Sequence, residues 1–309
     1  MSSMPADTIA AARAVRGDNM FALEDVSFSY ADGVPALAGV SLRVERGERI
    51  AILGANGSGK STLIKLLDSL IFAQQGRFEA FGSAITEAAM REDAFAHRFR
   101  RRVGFIFQNS DAQLFSSTVR EEIAFGPLQM GLTREEIEER ITDICALMGI
   151  RGLLDRAPFH LSGGEKKKVA IASALVINPE ALLLDEPTSG LDPRSQYWLV
   201  MLLQKLHGAG KTLITSTHDL TIVPDIADRV LVFSDAHHLV ADGPASMILQ
   251  DTELLLRVNL VHEHWHRHGS LAHAHPHPPG SPHEHVYDHK PADHVHDHSA
   301  GLDEHGLPP

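Results

Sequence analysis

Between residues 21 and 30 apolar and polar side chains alternate as "FALEDVSFSY", the period of a strand with one buried face. "SLRVE" and "RIAILG" extend that reading on either side of the turn at Arg46 and Gly47, and "VGFIF" (103–107) is a short apolar run with β-branched and aromatic content. Elsewhere the period changes to that of a helix. "GKSTLIKLLDSL" (59–70), the stretch from 118 to 148, "SGGEKKKVAIASALVI" from Ser162 to the stop at Asn178–Pro179, and "DPRSQYWLVMLLQKLHGAG" all read this way. "TREE" (133–136) is a capping box opening the second helix of the 118–148 region. "ALLLDE", "TLITST" and "RVLVFS" are strands of the fully buried type. Strands alternating with helices predict an α/β fold, a mainly parallel sheet covered on both faces, with the helix-rich stretch of about 109–168 inserted as a subdomain.

Composition narrows this picture. The 309 residues are 43% hydrophobic, enough for one large α/β domain. Cys145 is the sole cysteine, so an intramolecular disulfide is excluded and a reducing compartment is expected. Residues 1–19 read as a flexible leader without the apolar segment of a signal peptide. The longest clean apolar run, Val169–Ile177, falls short of the roughly 18–20 residues that span a bilayer. The expectation is a protein in the cytoplasm or peripheral on the inner face of the membrane. The formal charge is −12 with no strong basic stripe, which argues against nucleic acid as partner. Of the 20 histidines, 14 lie at or beyond His262, in a stretch that also holds seven prolines. Residues 256–309 therefore read as a linker and a disordered, low-complexity tail, leaving 20–255 as the folded domain.

Three motifs carry the chemistry. "GANGSGKS" (54–61) fits G-x-x-x-x-G-K-[ST] between a strand and a helix. Gly54, Asn56, Gly57, Ser58 and Gly59 let backbone N–H groups close around phosphates, Lys60 reaches the β- and γ-phosphates, and Ser61, with Thr62 beside it, opens the helix and binds Mg²⁺. "LLLDE" (182–186) ends a buried strand in Asp185, suited to Mg²⁺, and Glu186, suited to polarising an attacking water. "LSGGE" (161–165) offers a second anion site at a helix start, through Ser162, Gly163 and Gly164. Two phosphate-binding elements on one chain make sense if two chains sandwich each nucleotide.

With these motifs in order the chain resembles the ATP-binding cassette (ABC) ATPases over roughly residues 20–255. The resemblance implies a P-loop NTPase fold: a RecA-like parallel core, an antiparallel β edge and an inserted helical subdomain. It also implies roles. Tyr30 would stack on adenine, Gln108 would be the Q-loop glutamine and a Mg²⁺ ligand, "SGLD" (189–192) the D-loop, and His218 the switch histidine facing the γ-phosphate. ATP would close a head-to-tail homodimer, with each γ-phosphate between Lys60 of one subunit and Ser162 of the other, and hydrolysis through Glu186 and His218 would reopen it. Glu165 stands where many relatives have Gln, and activity is expected to survive that change.

Relatives that act on chromosomes or in translation carry long coiled coils, zinc modules or a second cassette, which are lacking here. The segment "NSDAQLFSSTVREEIAFGP" after Gln108 resembles the ATPases of energy-coupling-factor importers, above all those for cobalt and nickel. That resemblance implies a transmembrane scaffold component, whose coupling helices would meet Gln113, Leu114 and Phe115, and a substrate-binding membrane component. Leu114 and Phe115 could equally be subdomain core.

The tail then acquires a meaning. Imidazole nitrogens suit Ni²⁺, Co²⁺, Zn²⁺ and Cu²⁺ without choosing among them, and H-x-H repeats offer neighbouring ligands; the other reading is a solvated, low-complexity tail that binds metal weakly and has no role in the cell. The candidates are His262, His264, His266, His268, His273, His275, His277, His283 and His285. If the start of the tail is helical, His264 with His268, or His262 with His266, would pair at i, i+4. The alternatives are an importer for zinc or a vitamin, and a metal-storage or sensing protein with a regulatory cassette.

Overall fold

Strand alternation sorts the interior into two layers. The computed structural model describes residues 19–31, 33–268 and 271–277, those from 262 onward as backbone. Its larger sheet has six strands in the order β10-β9-β3-β8-β7-β6. These are β3 (Arg49–Leu53), β6 (Val103–Ile106), β7 (Ala181–Asp185), β8 (Thr212–Ser216), β9 (Arg229–Phe233) and β10 (Leu239–Pro244). All neighbours pair in parallel except β10, which runs antiparallel to β9. Along β3, Ile50 and Ile52 join one core while Ala51 and Leu53 join the other, and Leu182 and Leu184 of β7 oppose Ala181 and Leu183 in the same way. A slip of one residue would exchange the two sets, so register is strongly specified.

One core is closed by helices: α2 (Val119–Gln129), α3 (Arg134–Met148), α4 (Gly163–Leu175) and α5 (Pro193–Gly208). The other is closed by α1 (Lys60–Leu67) and by an antiparallel sheet in the order β2-β1-β4-β5. Its strands are β1 (Asn19–Ser29), β2 (Pro35–Glu45), β4 (Gln75–Ala80) and β5 (Ser83–Ala84). This is the P-loop ABC ATPase architecture, with its antiparallel edge. Helix α1 ends at Leu67, three residues before the predicted Leu70, where Ser69 takes φ 60° in the left-handed region. The Thr133–Glu136 capping box forms as predicted, and Thr118–Glu121 and Ser162–Glu165 make two more. Cys145 is a free, buried thiol.

The domain does not stop sharply before the tail, for Val258, Leu260 and Val261 are buried in the helix-covered core. From there the backbone pairs as a hairpin of β11 (His262–His268) and β12 (Leu271–His277). The helical i, i+4 pairing of His262 with His266 and of His264 with His268 is thereby corrected. The strict H-x-H alternation has period two and keeps histidines on one face of a strand, not of a helix. His283 and His285 lie outside the described residues. Among the described residues no helix is long and apolar enough to cross a membrane.

Candidate functional site

The parallel strands bring their carboxyl ends to one edge of the sheet. β3 lies beside β8 and β8 beside β7, with Ile52 opposite Ser216 and Ser216 opposite Asp185. Loops leaving such strand ends are where open α/β sheets hold ligands. There a cavity of about 630 Å³ is lined by Tyr30, Asn56, Gly57, Gly59, Lys60, Ser61, Thr62, Gln108, Glu186 and His218, with Val34, Pro35, Ala36, Ser189 and His237.

The loop from Gly54 to Lys60 is shaped by glycine. Gly54 has φ 153°, and a Cβ there would lie 2.8 Å from the carbonyl oxygen of Phe233. Gly59 has φ 110°, and its Cβ would lie 2.2 Å from the Ala36 carbonyl oxygen. A Cβ on Gly57 would meet nothing within 4 Å. The loop is therefore pinned on its protein side and open on the other. Gly59 N-caps α1 without a side-chain cap, which leaves first-turn N–H groups for an anion. Ser58 Oγ, within the same loop, is buried with no hydrogen-bond partner.

Lys60 is buried, and its Nζ donates to the carbonyls of Gly54 (2.8 Å) and Ala55 (3.1 Å), 3.8 Å from Glu186 Oε1. Burial lowers its pKa, and Glu186 and Asp185 pull it back up. Stripping an ammonium of water costs several kcal/mol, so carbonyls and carboxylates must supply what water no longer does. Ser61 Oγ donates to Asp185 Oδ1 at 2.8 Å, which sets two hard oxygen donors side by side, as Mg²⁺ requires. With the open face of the loop and the orphaned Ser58 hydroxyl, these residues fit MgATP.

Asp185 and Glu186 are both buried. Ser216 Oγ donates to Asp185 Oδ1 at 2.6 Å and accepts from the Glu186 N–H at 3.0 Å. Glu186 has φ 43°, a rarely populated conformation for a residue with a side chain, of the kind that clusters at functional sites. His218 Nδ1 lies 2.8 Å from Glu186 Oε2. Tyr30 is partly exposed, its hydroxyl 3.2 Å from Thr62 Oγ1 and its ring edge-on to Phe28 at 5.1 Å.

Ser162, Gly163 and Gly164 do not line this cavity. Ser162 is exposed at the start of α4, where its Oγ donates to Glu165 Oε2 at 2.9 Å and its N–H donates to the same oxygen at 2.8 Å. These hydrogen bonds hold the Glu165 carboxyl below its usual range. The departure at position 165 is thus a capping residue that orients the signature serine.

Three residues after Gln108 were expected in a docking groove. Gln113 is instead a brace, accepting from the Phe107 N–H and donating to the Ala170 carbonyl, and Leu114 packs against the core. Phe115 is 67% exposed and meets Phe125 edge-on at 5.0 Å, so of the three it is the most open to a partner, while Gln113 and Leu114 are half-buried.

Two residues went unnoticed in the sequence. Ser216 acts across neighbouring strands and carries no local signature beyond ending "TLITS". Lys167 is buried in α4, its Nζ donating to the carbonyls of Phe107 (3.2 Å) and Gln108 (3.0 Å), and burial pushes its pKa down to about 8. A lysine one helical turn before the apolar Ala170 and Ile171 was the available sign.

Known proteins share this arrangement. The family profile described as ABC transporter matches residues 37–189. The nickel import ATP-binding protein NikO of Rhodobacter capsulatus is 50% identical over 244 residues, 78% of this chain and 95% of that one. The energy-coupling factor transporter ATP-binding protein EcfA of Methanothermobacter thermautotrophicus is 44% identical over 241 residues, 78% of this chain and 76% of that one. Among solved structures, cbiO1 from Clostridium perfringens, part of the ABC transporter complex cbiONQ, matches with a TM-score of 0.68 at 36% identity, covering 79% of this chain and 95% of that chain. A P-loop, a strand-end Asp–Glu pair and a signature helix in one domain, with relatives of this extent, have one reading: the chain belongs to the ATP-binding, ATP-hydrolysing subunits of ABC transporters.

Proposed function

We propose that this subunit powers uptake of Ni²⁺ or Co²⁺ as the ATPase of an energy-coupling-factor importer. The observation that carries the ATPase part is the division of the phosphate-binding elements: Lys60, Ser61, Gln108, Glu186 and His218 share one cavity, and Ser162 stands outside it. A head-to-tail homodimer reunites them, each Ser162 facing the partner's P-loop. In such a dimer Tyr30 stacks on the adenine, the Gly54–Gly59 loop and Lys60 bind phosphates, and Glu186 takes up a proton from the attacking water. His218 holds the Glu186 carboxylate in place from 2.8 Å. Mg²⁺, when bound by Ser61, Asp185 and Gln108, neutralises charge on the phosphates.

Nickel is supported by the name of the nickel import ATP-binding protein NikO, and the pair of nickel and cobalt by the resemblance carried in the segment after Gln108 and by the 14 histidines at or beyond His262. We assign that tail a role in holding the metal near the cytoplasmic mouth of the transporter. The exposed Phe115–Phe125 pair offers an apolar contact for a transmembrane scaffold component, which with a substrate-binding membrane component would keep the protein on the cytoplasmic face of the membrane.

Uptake of ⁶³Ni and ⁵⁷Co in cells lacking the gene tests the proposal. Full-length chain should restore uptake and Glu186→Gln should not. Normal metal uptake in the deleted strain, with a deficit in zinc or a vitamin instead, would overturn the assignment of cargo.

A further inference from the structure

A second cavity lies at the other end of β6 from Gln108. It has a volume of about 380 Å³, and none of its residues lines the nucleotide site. Ala80, Phe81 and Ile85 line it from the side of the β4–β5 hairpin, and Phe95 and Phe99 from the helix Asp93–Arg100. The hairpin is closed by Phe81 and Gly82, at φ 53° and 76°, the left-handed pair of a two-residue turn. Asn or Asp is usual before the glycine of such a turn, and a bulky aromatic there is strained. The strain is kept together with a ring that meets Phe21 at 5.6 Å and Phe99 at 6.2 Å, with the Arg102 guanidinium 3.6 Å from its centroid. In a chain of formal charge −12, the run from Arg98 to Arg102 sets four arginines in five residues. Arg102 pairs with Glu180, and Arg100 acts on the Asp68 carboxyl. Arg98 and Arg101 are exposed and line the cavity, Arg98 lying 5.8 Å from the Phe95 ring centroid. Among the described residues neither makes an ion pair or a side-chain hydrogen bond.

We propose that this cavity binds an anionic amphiphile, its apolar chain among Phe81, Phe95 and Phe99 and its phosphate or carboxylate on Arg98 and Arg101. An apolar lining with a few convergent polar groups is the usual build of a small-molecule site, and the volume falls in the usual range of about 300–1,000 Å³. Guanidinium forks match the oxygens of a phosphate or carboxylate and can hold them through two hydrogen bonds at once. Inorganic phosphate would leave the aromatic walls bare. A neutral chain would leave two positive charges unanswered. A ligand that joins the two parts uses both features of the cavity. The assignment is independent of which metal is transported.

The test is isothermal titration of the full chain with monomeric octyl phosphate while MgADP fills the P-loop. The parent should take up one molecule per chain, and binding should weaken as salt is raised. Arg98→Gln with Arg101→Gln should weaken it by about tenfold or more, through lost charge-assisted contacts. Ser83 also lines the cavity and is exposed, so Ser83→Trp fills the space without altering charge. It should weaken binding as much and leave ATP turnover like the parent's. Octanol and inorganic phosphate, the two halves of the probe, should each bind at least about tenfold more weakly than octyl phosphate. Absence of octyl phosphate binding, or unchanged binding in the double arginine variant, would overturn the proposal. So would inorganic phosphate binding as tightly as octyl phosphate, or full binding in Ser83→Trp, since the feature would then be a patch of surface charge. Sedimentation with vesicles of equal parts phosphatidylcholine and phosphatidylglycerol separates the two sources of such a ligand. Retention that the double variant loses assigns a bilayer lipid; octyl phosphate binding without retention assigns a soluble amphiphile, and either outcome upholds the site.

Discussion

Two helix starts in this chain bear phosphate-binding sequences, and they are prepared in opposite ways. At Gly59–Lys60 the helix has no side-chain cap, the loop is wedged against Ala36 and Phe233, and the lysine is buried among carbonyls and Glu186. At Ser162–Gly163 the helix begins in the open, and its serine is held by one local partner, Glu165. The first is organised by tertiary burial, the second by capping. In the proposed dimer the second is a half-site completed by another molecule, with no surroundings of its own to shape it, so its geometry is written into four consecutive residues.

The sharpest break of this comparison is at the buried end. Glu186→Gln should lower ATP turnover by about 10²–10⁴-fold, the usual worth of a positioned base, while nucleotide binding persists. Phosphate release together with size-exclusion chromatography in ATP checks this, with a stable dimer as the expected product. Turnover like the parent's would remove Glu186 from the role of base.

Next comes a test of the division itself. Lys60→Ala should weaken ATP binding about 10–100-fold through a lost charge-assisted contact, and Ser162→Arg should leave single-chain binding intact; each alone should be inactive. Mixed in equal amounts, half the dimers would pair the intact Lys60 of one chain with the intact Ser162 of the other, returning about a quarter of parental sites. No recovery on mixing would mean the two helix starts do not meet across chains.

Lys167 ties the two ends together, since it lies on the signature helix and grips the Phe107 and Gln108 carbonyls. Lys167→Met should cost about three- to tenfold in turnover with little change in ATP binding, because it loosens Gln108 without touching the P-loop. The variant also carries a pH signature. The folded-state pKa of Lys167, about 8, lies below its ordinary 10.5, so between those values the unfolded chain binds more protons and stability rises with pH. Thermal melts across that window should rise less steeply in Lys167→Met. The smallest effect is expected at Glu165→Gln, where an amide oxygen can still accept from Ser162 and turnover should stay within about twofold of the parent. Glu165→Ala should lose the cap and about 1 kcal/mol of local stability, read by hydrogen exchange in the first turn of α4.

What could be read in advance was whatever depends on neighbours along the chain. Strand β3 alternates cleanly, "GANGSGKS" needs no partner to be recognised, and the Thr133 capping box spans four residues. Ser216 escaped notice because its two contacts lie 30 and 31 residues away and exist only once β7 and β8 are parallel neighbours. β4 was missed since "QGRFEA" buries just Phe78 and Ala80, too thin a pattern for a strand whose place is fixed by pairing with β1. Phe115 shows the reverse: the sequence left groove and core both open, and only packing separated it from Leu114. The histidine alternation was visible, yet its face could not be assigned before a second strand set the register.

The end of the cavity near Tyr30 has a consequence for what the protein senses. Its lining there is Tyr30 with Val34, Pro35 and Ala36, an aromatic ring and three apolar side chains. Stacking on such a surface tolerates any flat base, whereas the triphosphate is gripped by charge and backbone. An ATPase working from this pocket would accept any nucleoside triphosphate whose base can stack there, so its turnover would follow the phosphate supply of the cell more than the identity of the base.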